Sequence, residues 1–262
     1  MKNFTNIMKL LNSEDENNFK ENETIGNSLT KVSWVDYPSY YLSTAPQGSD
    51  IWLKERIGRI TMSNLSNCTH RSSYKQPYED IVDSICGIKK MEAPQNIAYM
   101  DHGIKMEPII RNWYSESIVK KPIKEVGLAV WKQDTRFGGS LDGEIDSDEG
   151  IEIKAPRKMY FKLVEYIESK KKGFKFYNGI HEHIFNSHYD QMTGNGVITK
   201  KKYMHYVVVC TDTQNSFIQR FPVDYDLWDS VLYPRAVRFY EEYVQTRMDE
   251  LNLIMLDPTE VD

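Results

Sequence analysis

The stretch GGSLDGEIDSDEGIEIKAP, residues 138 to 156, sets two acids and a lysine at spacings that could do chemistry. Glu152 and Lys154 stand two apart in IEIKAP. Strand side chains alternate faces, so these two share one face while Ile151 and Ile153 take the other, towards a core. Asp142 lies on the preceding strand, where a hairpin brings it beside Glu152. Two carboxylates on one sheet face make a hard-oxygen site suited to Mg2+ or Mn2+, which polarises a phosphoryl oxygen and lowers the pKa of bound water. A neighbouring lysine can orient that water or offset transition-state charge, but beside carboxylates it is a poor general base unless desolvated. The competing reading is a solvated hairpin with scattered charge, since an acid followed by Glu-x-Lys is a short and common pattern. The alternating isoleucines make the strand half-buried, and Pro156 stops it. Asp146, Asp148 and Glu149 fall in the turn and carry no assigned role.

The elements around this hairpin read as a mixed α/β chain. GSDIWLKERIG predicts a helix capped by Ser49 or Asp50 and ended by Gly58. YEDIVDSICGI predicts another, ending at Gly87. NIAYMDHGIKMEPIIRNWYSES has helical periodicity on both sides of Pro108, which either kinks one helix or opens a second. GLAVWK and GGSLDGEI are β-like, KMYFKLVEYIESK and HIFNSHYDQMTGNGVIT helical, and YMHYVVVCT and SFIQRFPV pair as strands. The aromatic tail, DYDLWDSVLYPRAVRFYEEYVQTRMDELNLIM, is mostly helix despite Pro234 and serves the core.

Composition narrows the classes. The chain is 262 residues long, 40% hydrophobic and 12% aromatic, enough for a real core, and no apolar run reaches the length of a membrane span. The first residues do not make a secretory signal, so the expectation is a soluble intracellular protein with no membrane contact. Cys68, Cys86 and Cys210 form no C-x-x-C pair and read as buried free thiols. A formal charge of −5 argues against nonspecific coating of nucleic acid. Yet from Lys154 to Lys175 there are eight Lys or Arg against Glu165 and Glu168, and this run, with the glycine and aromatics of SKKKGFKFY, suits a DNA backbone. TKKKYMHY, from Thr199, is a second cluster. His181, His183 and His188 match no standard zinc spacing.

Four blocks in order carry a resemblance. Asp142, Glu152 and Lys154 match the PD-(D/E)xK nuclease pattern; WLKERIGRITMS is similar to W-x-x-x-R-x-G-x-I-T-x-S, GIKMEP to G-x-x-x-E-P, and HYDQM to a downstream glutamine motif. Together they resemble the lambda-exonuclease (YqaJ-like) family of viral recombination nucleases, over residues from about 50 to 195. The resemblance implies an α/β fold with a central mixed β-sheet flanked by helices, with residues 46–262 as the nuclease domain after an N-terminal extension, 1–45. It implies that Asp142, Glu152, the backbone carbonyl of Ile153 and Glu107 hold metal, Mg2+ with Mn2+ as a substitute, and that Lys154 positions or activates the attacking water. Gln191 would line the site at the scissile nucleotide, and Arg56, Ser63 and Ser140 would bind a 5′-phosphate. Without the pattern, Arg56 reads as a surface residue, Ser63 as a helix cap and Glu107 as a helix-start carboxylate, while Gln191 carries no signal of its own.

The implied activity is 5′-to-3′ hydrolysis of double-stranded DNA, which leaves a 3′ single strand for recombination or repair. It brings with it a ring-shaped homotrimer, an annealing recombination protein as partner, and the cytoplasm or nucleus of an infected host as setting. The N-terminal extension departs from the compact phage form. Two other readings stay open: a structure-specific endonuclease on the same fold, and a noncatalytic DNA-binding recombination module. An iron–sulfur nuclease would need cysteines this chain lacks.

Overall fold

A computed structural model describes residues 33–88, 94–171, 183–213 and 215–259. Two mixed sheets organise them. The first has the order β1 (Trp34–Asp36), β2 (Tyr40–Ser43), β4 (Ala129–Trp131), β5 (Phe137–Gly139), β3 (Ile60–Thr61), with β3 and β5 parallel. The second has the order β6 (Gly143–Glu144), β7 (Glu149–Lys154), β8 (Tyr203–Val209), β9 (Ser216–Pro222), with β7 and β8 parallel. The GGSLDGEI segment therefore serves both, leaving the first sheet after Gly139 and entering the second at Gly143. Residues 34–43, inside the stretch the sequence assigns to the N-terminal extension, are strands of the first sheet, paired through Leu42↔Ala129 and its neighbours.

Alternation along β7 and β8 divides the core in two. Ile151, Ile153, Val207 and Val209 pack against Met106, Ile110, Trp113 and Tyr114 of the helix Pro94–Tyr114. Tyr206 and Val208 face the larger core, where Trp131, Phe137 and Trp228 pack edge to face and the helix Asn186–Ile198 lies almost wholly buried. Glu152 and Lys154, out of phase with the isoleucines, point towards that helix. Pro108 sits inside the long helix, where its missing N–H leaves one carbonyl unbonded, and a second helix does not begin there.

The short helix Asp50–Glu55 starts as its sequence dictates: Ser49 accepts the Trp52 amide at 3.2 Å. Arg56 is its C-cap, and Gly58, at φ 78°, reverses the chain into β3. The helix Tyr78–Ile85 ends two residues before Gly87, also at positive φ. A helical run from residue 225 to 250 closes over the larger core and includes two of the three five-residue π segments among the described residues. All three cysteines are free and buried. Among the described residues no helix is long and apolar enough to cross a membrane.

Candidate active site

The hairpin register pairs Gly143 with Ile151, so Asp142 comes directly across from Glu152. One Asp142 carboxylate oxygen accepts the Ile153 amide at 2.6 Å, which pins the acid to the strand that carries its partner. Lys154 Nζ donates to Glu152 Oε1 at 2.6 Å and to Gln191 Oε1 at 3.2 Å. Glu152 is fully buried, and its other oxygen, Oε2, has no hydrogen-bond partner.

Helices bring the remaining side chains. Gln191 and Asn195 are one turn apart on the helix Asn186–Ile198 and share a face. Asn195 Nδ2 donates to the Ser140 carbonyl at 3.1 Å, and its buried Oδ1 has no partner. Gly139 permits this approach, because a Cβ there would stand 2.1 Å from Asn195 Oδ1. Glu107, in the interior of the long helix, receives Arg111 Nη2 at 2.7 Å, and the same guanidinium holds Glu125 through Nη1. Glu107 is thus well past the helix start at which a dipole interaction would act.

Burial raises the pKa of Glu107, Asp142 and Glu152. It lifts Glu107 to about 7, with the charge of Asp142 adding to the effect and Arg111 opposing it. Asp142 is raised by burial and by Glu152, and Glu152 by burial against the pull of Lys154. Burial alone would depress the Lys154 ammonium, but Glu152 and Asp142 outweigh it and hold it above its ordinary value. Lys154 is therefore a fixed cation, not a free base. Carboxyl groups in this state are short of positive charge. The orphaned Glu152 oxygen and the hard-oxygen character of the set fit a divalent ion such as Mg2+ or Mn2+. Among the described residues no three acids, histidines or cysteines already stand close enough to chelate one, and Arg111 and Lys154 each occupy a carboxylate.

A cavity of about 150 Å³ adjoins the hairpin, and Asp142, Gln191 and Asn195 are among the residues that line it. Arg56, Thr61, Ser63 and Ser140 line it as well. Arg56 stacks its guanidinium on the Trp52 ring, 4.1 Å from the centroid, and donates to Thr61 and Ser63 hydroxyls at 3.3 and 3.4 Å. The Trp52 indole N–H reaches Ser140 Oγ at 3.2 Å. Among the described residues no carboxylate pairs with Arg56, and burial lowers its pKa to about 10. A half-buried guanidinium among hydroxyls, with no protein anion, is a receptor for an anion from outside. Arg56 is consequently not the exposed surface residue its helix position suggests, and Ser63 caps no helix; the residue at the next helix start is Asn64.

The nine residues named from the sequence, Arg56, Ser63, Glu107, Ser140, Asp142, Glu152, Ile153, Lys154 and Gln191, lie around this cavity or in the acid cluster beside it. Trp52, Thr61, Asn195 and Arg111 were not singled out. Asn195 and Arg111 each stand four residues after a chosen one, Gln191 and Glu107, which is the helical spacing that would have found them.

Other charged stretches resolve differently. Lys201, in the cluster TKKKYMHY, is buried, with Nζ bound to Glu144 and to the carbonyls of Asp146 and Ser147. It closes the hairpin turn and is lost to any DNA surface. His183 stacks on Tyr166 and bonds Gln219 at 2.9 Å, and His188 bonds the Tyr206 hydroxyl at 2.7 Å. His181 and most of SKKKGFKFY lie outside the described residues.

Residues 51–202 match the YqaJ-like viral recombinase domain, and the chain belongs to that family. Its fold is the PD-(D/E)xK nuclease fold of the lambda-exonuclease group. It is similar to the alkaline exonuclease LHK-Exo of Laribacter hongkongensis at 21% identity and a TM-score of 0.58, over 78% of this chain and 96% of that one. LHK-Exo in complex with dAMP gives 20% identity and a TM-score of 0.57, over 78% and 98%. No curated protein matches the chain.

Proposed function

We propose that this protein is a Mg2+-dependent deoxyribonuclease, with Mn2+ as a substitute, that degrades double-stranded DNA from 5′ ends and leaves a 3′ single strand. The carrying observation is that one cavity is lined both by Asp142 and Gln191 and by Arg56, which has no carboxylate partner among the described residues, with Ser63 and Ser140. Membership of the recombinase family supports a DNA substrate, and LHK-Exo is described as an exonuclease.

In this reading Asp142, Glu152, the Ile153 carbonyl and Glu107 would hold the metal. A bound divalent ion would polarise a phosphoryl oxygen and acidify a coordinated water. Lys154, kept charged by its acids and steadied by Gln191, orients that water and offsets charge on the phosphoryl group. Arg56 takes the terminal phosphate with the hydroxyls of Ser63 and Ser140, and Trp52 fixes both Arg56 and Ser140 in place. An enzyme that grips a terminal phosphate beside its ion site releases mononucleotides.

Digestion of end-labelled linear duplex with Mg2+ tests this. Mononucleotides, produced faster from 5′-phosphate than from 5′-hydroxyl ends, with a closed circle left intact, are the expected result. Nicking of the circle or release of long fragments would instead establish the endonuclease reading. The proposal extends to a nuclease domain made of residues 46–262 together with the sheet strands at 34–43, a homotrimer around the duplex, and an annealing protein that receives the 3′ strand.

A further inference from the structure

Arg111 occupies a position that the chemistry above does not use. Its side chain is nearly buried, with one guanidinium arm on Glu107 and another on the half-exposed Glu125. Its Nε–H is buried and has no acceptor, so the group is not optimised as a static structural clasp. Its stem passes Gly143, next to Asp142, where a Cβ would stand 3.4 Å from Arg111 Cδ. Its charge reaches Asp142 as well as Glu107. Arg111 is therefore a protein cation lodged at the rim of the acid cluster, and it engages the one proposed ion ligand that comes from a helix.

This rests on the metal reading given above. We propose that Arg111 is a built-in counter-cation, a positioning residue shared between two carboxylates. In the ion-free protein it neutralises and holds Glu107. When a divalent ion enters, Glu107 turns to the ion and Arg111 stays on Glu125, which it already holds through Nη1. The guanidinium gives up only its Glu107 contact and keeps a carboxylate throughout, while the ion adds positive charge to a cluster of buried acids. It also accounts for a cluster that is rich in acids yet holds no ready-made three-ligand set among the described residues. Each of two ligands waits on a protein cation, Lys154 on Glu152 and Arg111 on Glu107.

The test is direct Mn2+ titration of the full-length protein by calorimetry, without DNA, comparing the parent with Glu125→Gln, Arg111→Gln and Asp142→Asn. In Glu125→Gln the guanidinium has only Glu107, and Mn2+ affinity falls about three- to tenfold. In Arg111→Gln the competing charge is gone, and affinity rises by a similar factor of about three- to tenfold. A clasp that merely holds the helix in place would move both variants in the same direction, and that result, or no change in Glu125→Gln, overturns the proposal. The Glu125 side chain is 50% exposed, so this variant keeps the fold and carries the test even if Arg111→Gln does not. Asp142→Asn separates the two levels: loss of Mn2+ binding there with unchanged Glu125→Gln rejects the Arg111 exchange alone. Parental binding in Asp142→Asn rejects the ion site itself.

Discussion

The two ends of one hairpin treat negative charge in opposite ways. At the turn, every acid has its cation: Glu144 has Lys201, Asp146 has Lys121, Asp148 has Lys202, and Glu149 has Arg220, with a further hydrogen-bond contact to the His205 imidazole. Glu149 and Asp146 are accordingly held below their ordinary pKa values, Asp146 chiefly by the Asp148 amide and Glu149 by Arg220 and His205 against burial. At the open end, a few residues along the same strands, Asp142 and Glu152 are pushed up by burial, and an oxygen of Glu152 is left without any partner. Six carboxylates in one short segment thus separate into a neutralised group that builds the turn and an under-neutralised pair that needs a ligand. Charge density in the sequence does not distinguish them. Burial without compensation does.

Exchanging the lysine at each end should break this comparison most sharply. Lys154→Ala is expected to lower kcat by about 10²–10³-fold, as loss of a fixed charge at the reacting group would. Lys201→Met should leave kcat within a few fold but cost roughly 3 kcal/mol of stability, because Glu144 loses its buried partner. Steady-state digestion and chemical denaturation on both variants check the pair. Equal losses of kcat would erase the distinction between the two ends.

A pH series probes the open end more gently. A carboxyl whose folded pKa is raised gives stability that is fully present below its unfolded value and is lost as pH rises through the folded one. For Glu107 that window runs from 4.5 to about 7, and Asp142 and Glu152 act in the same sense. The Tm in chelator should therefore fall from pH 5 to pH 8, with a smaller fall in Glu152→Gln, and the stabilisation by added Mg2+ should grow over the same range. A chelated Tm that rises over this interval would contradict the assignment.

The smallest effect expected is at the anion pocket. Arg56→Gln should reduce the preference for 5′-phosphate over 5′-hydroxyl ends by about tenfold, the equivalent of one strong charge-assisted contact, with little change on 5′-hydroxyl ends. Competition between the two ends in one reaction measures it.

Much of the site was legible because its residues obey local periodicities. The two-residue period of β7 put Glu152 and Lys154 on one face and the isoleucines on the other, and the register that sets Asp142 opposite follows from a tight turn. What was not legible depends on contacts distant in the chain. Lys201 looks like part of a surface cluster until Glu144 and two turn carbonyls, more than fifty residues away, enclose it. Strands β1 and β2 are hidden in a polar, Asn-rich context, and only the pairing of β2 to β4, almost ninety residues on, joins them to a sheet. Trp52 opens the motif that contains Arg56, but its link to Ser140 across 88 positions has no sequence signature.

The break between the two sheets has a consequence for what such an enzyme can cut. Ser140, which would help receive a terminal phosphate, and Asp142, which would carry the ion, both line the cavity and are separated by two peptide steps, at most about 7 Å of extended chain. That part of the interval between anchor and blade is a covalent ruler, while Arg56 reaches the cavity from another element. An insertion between 140 and 142 would lengthen the stride on the serine side.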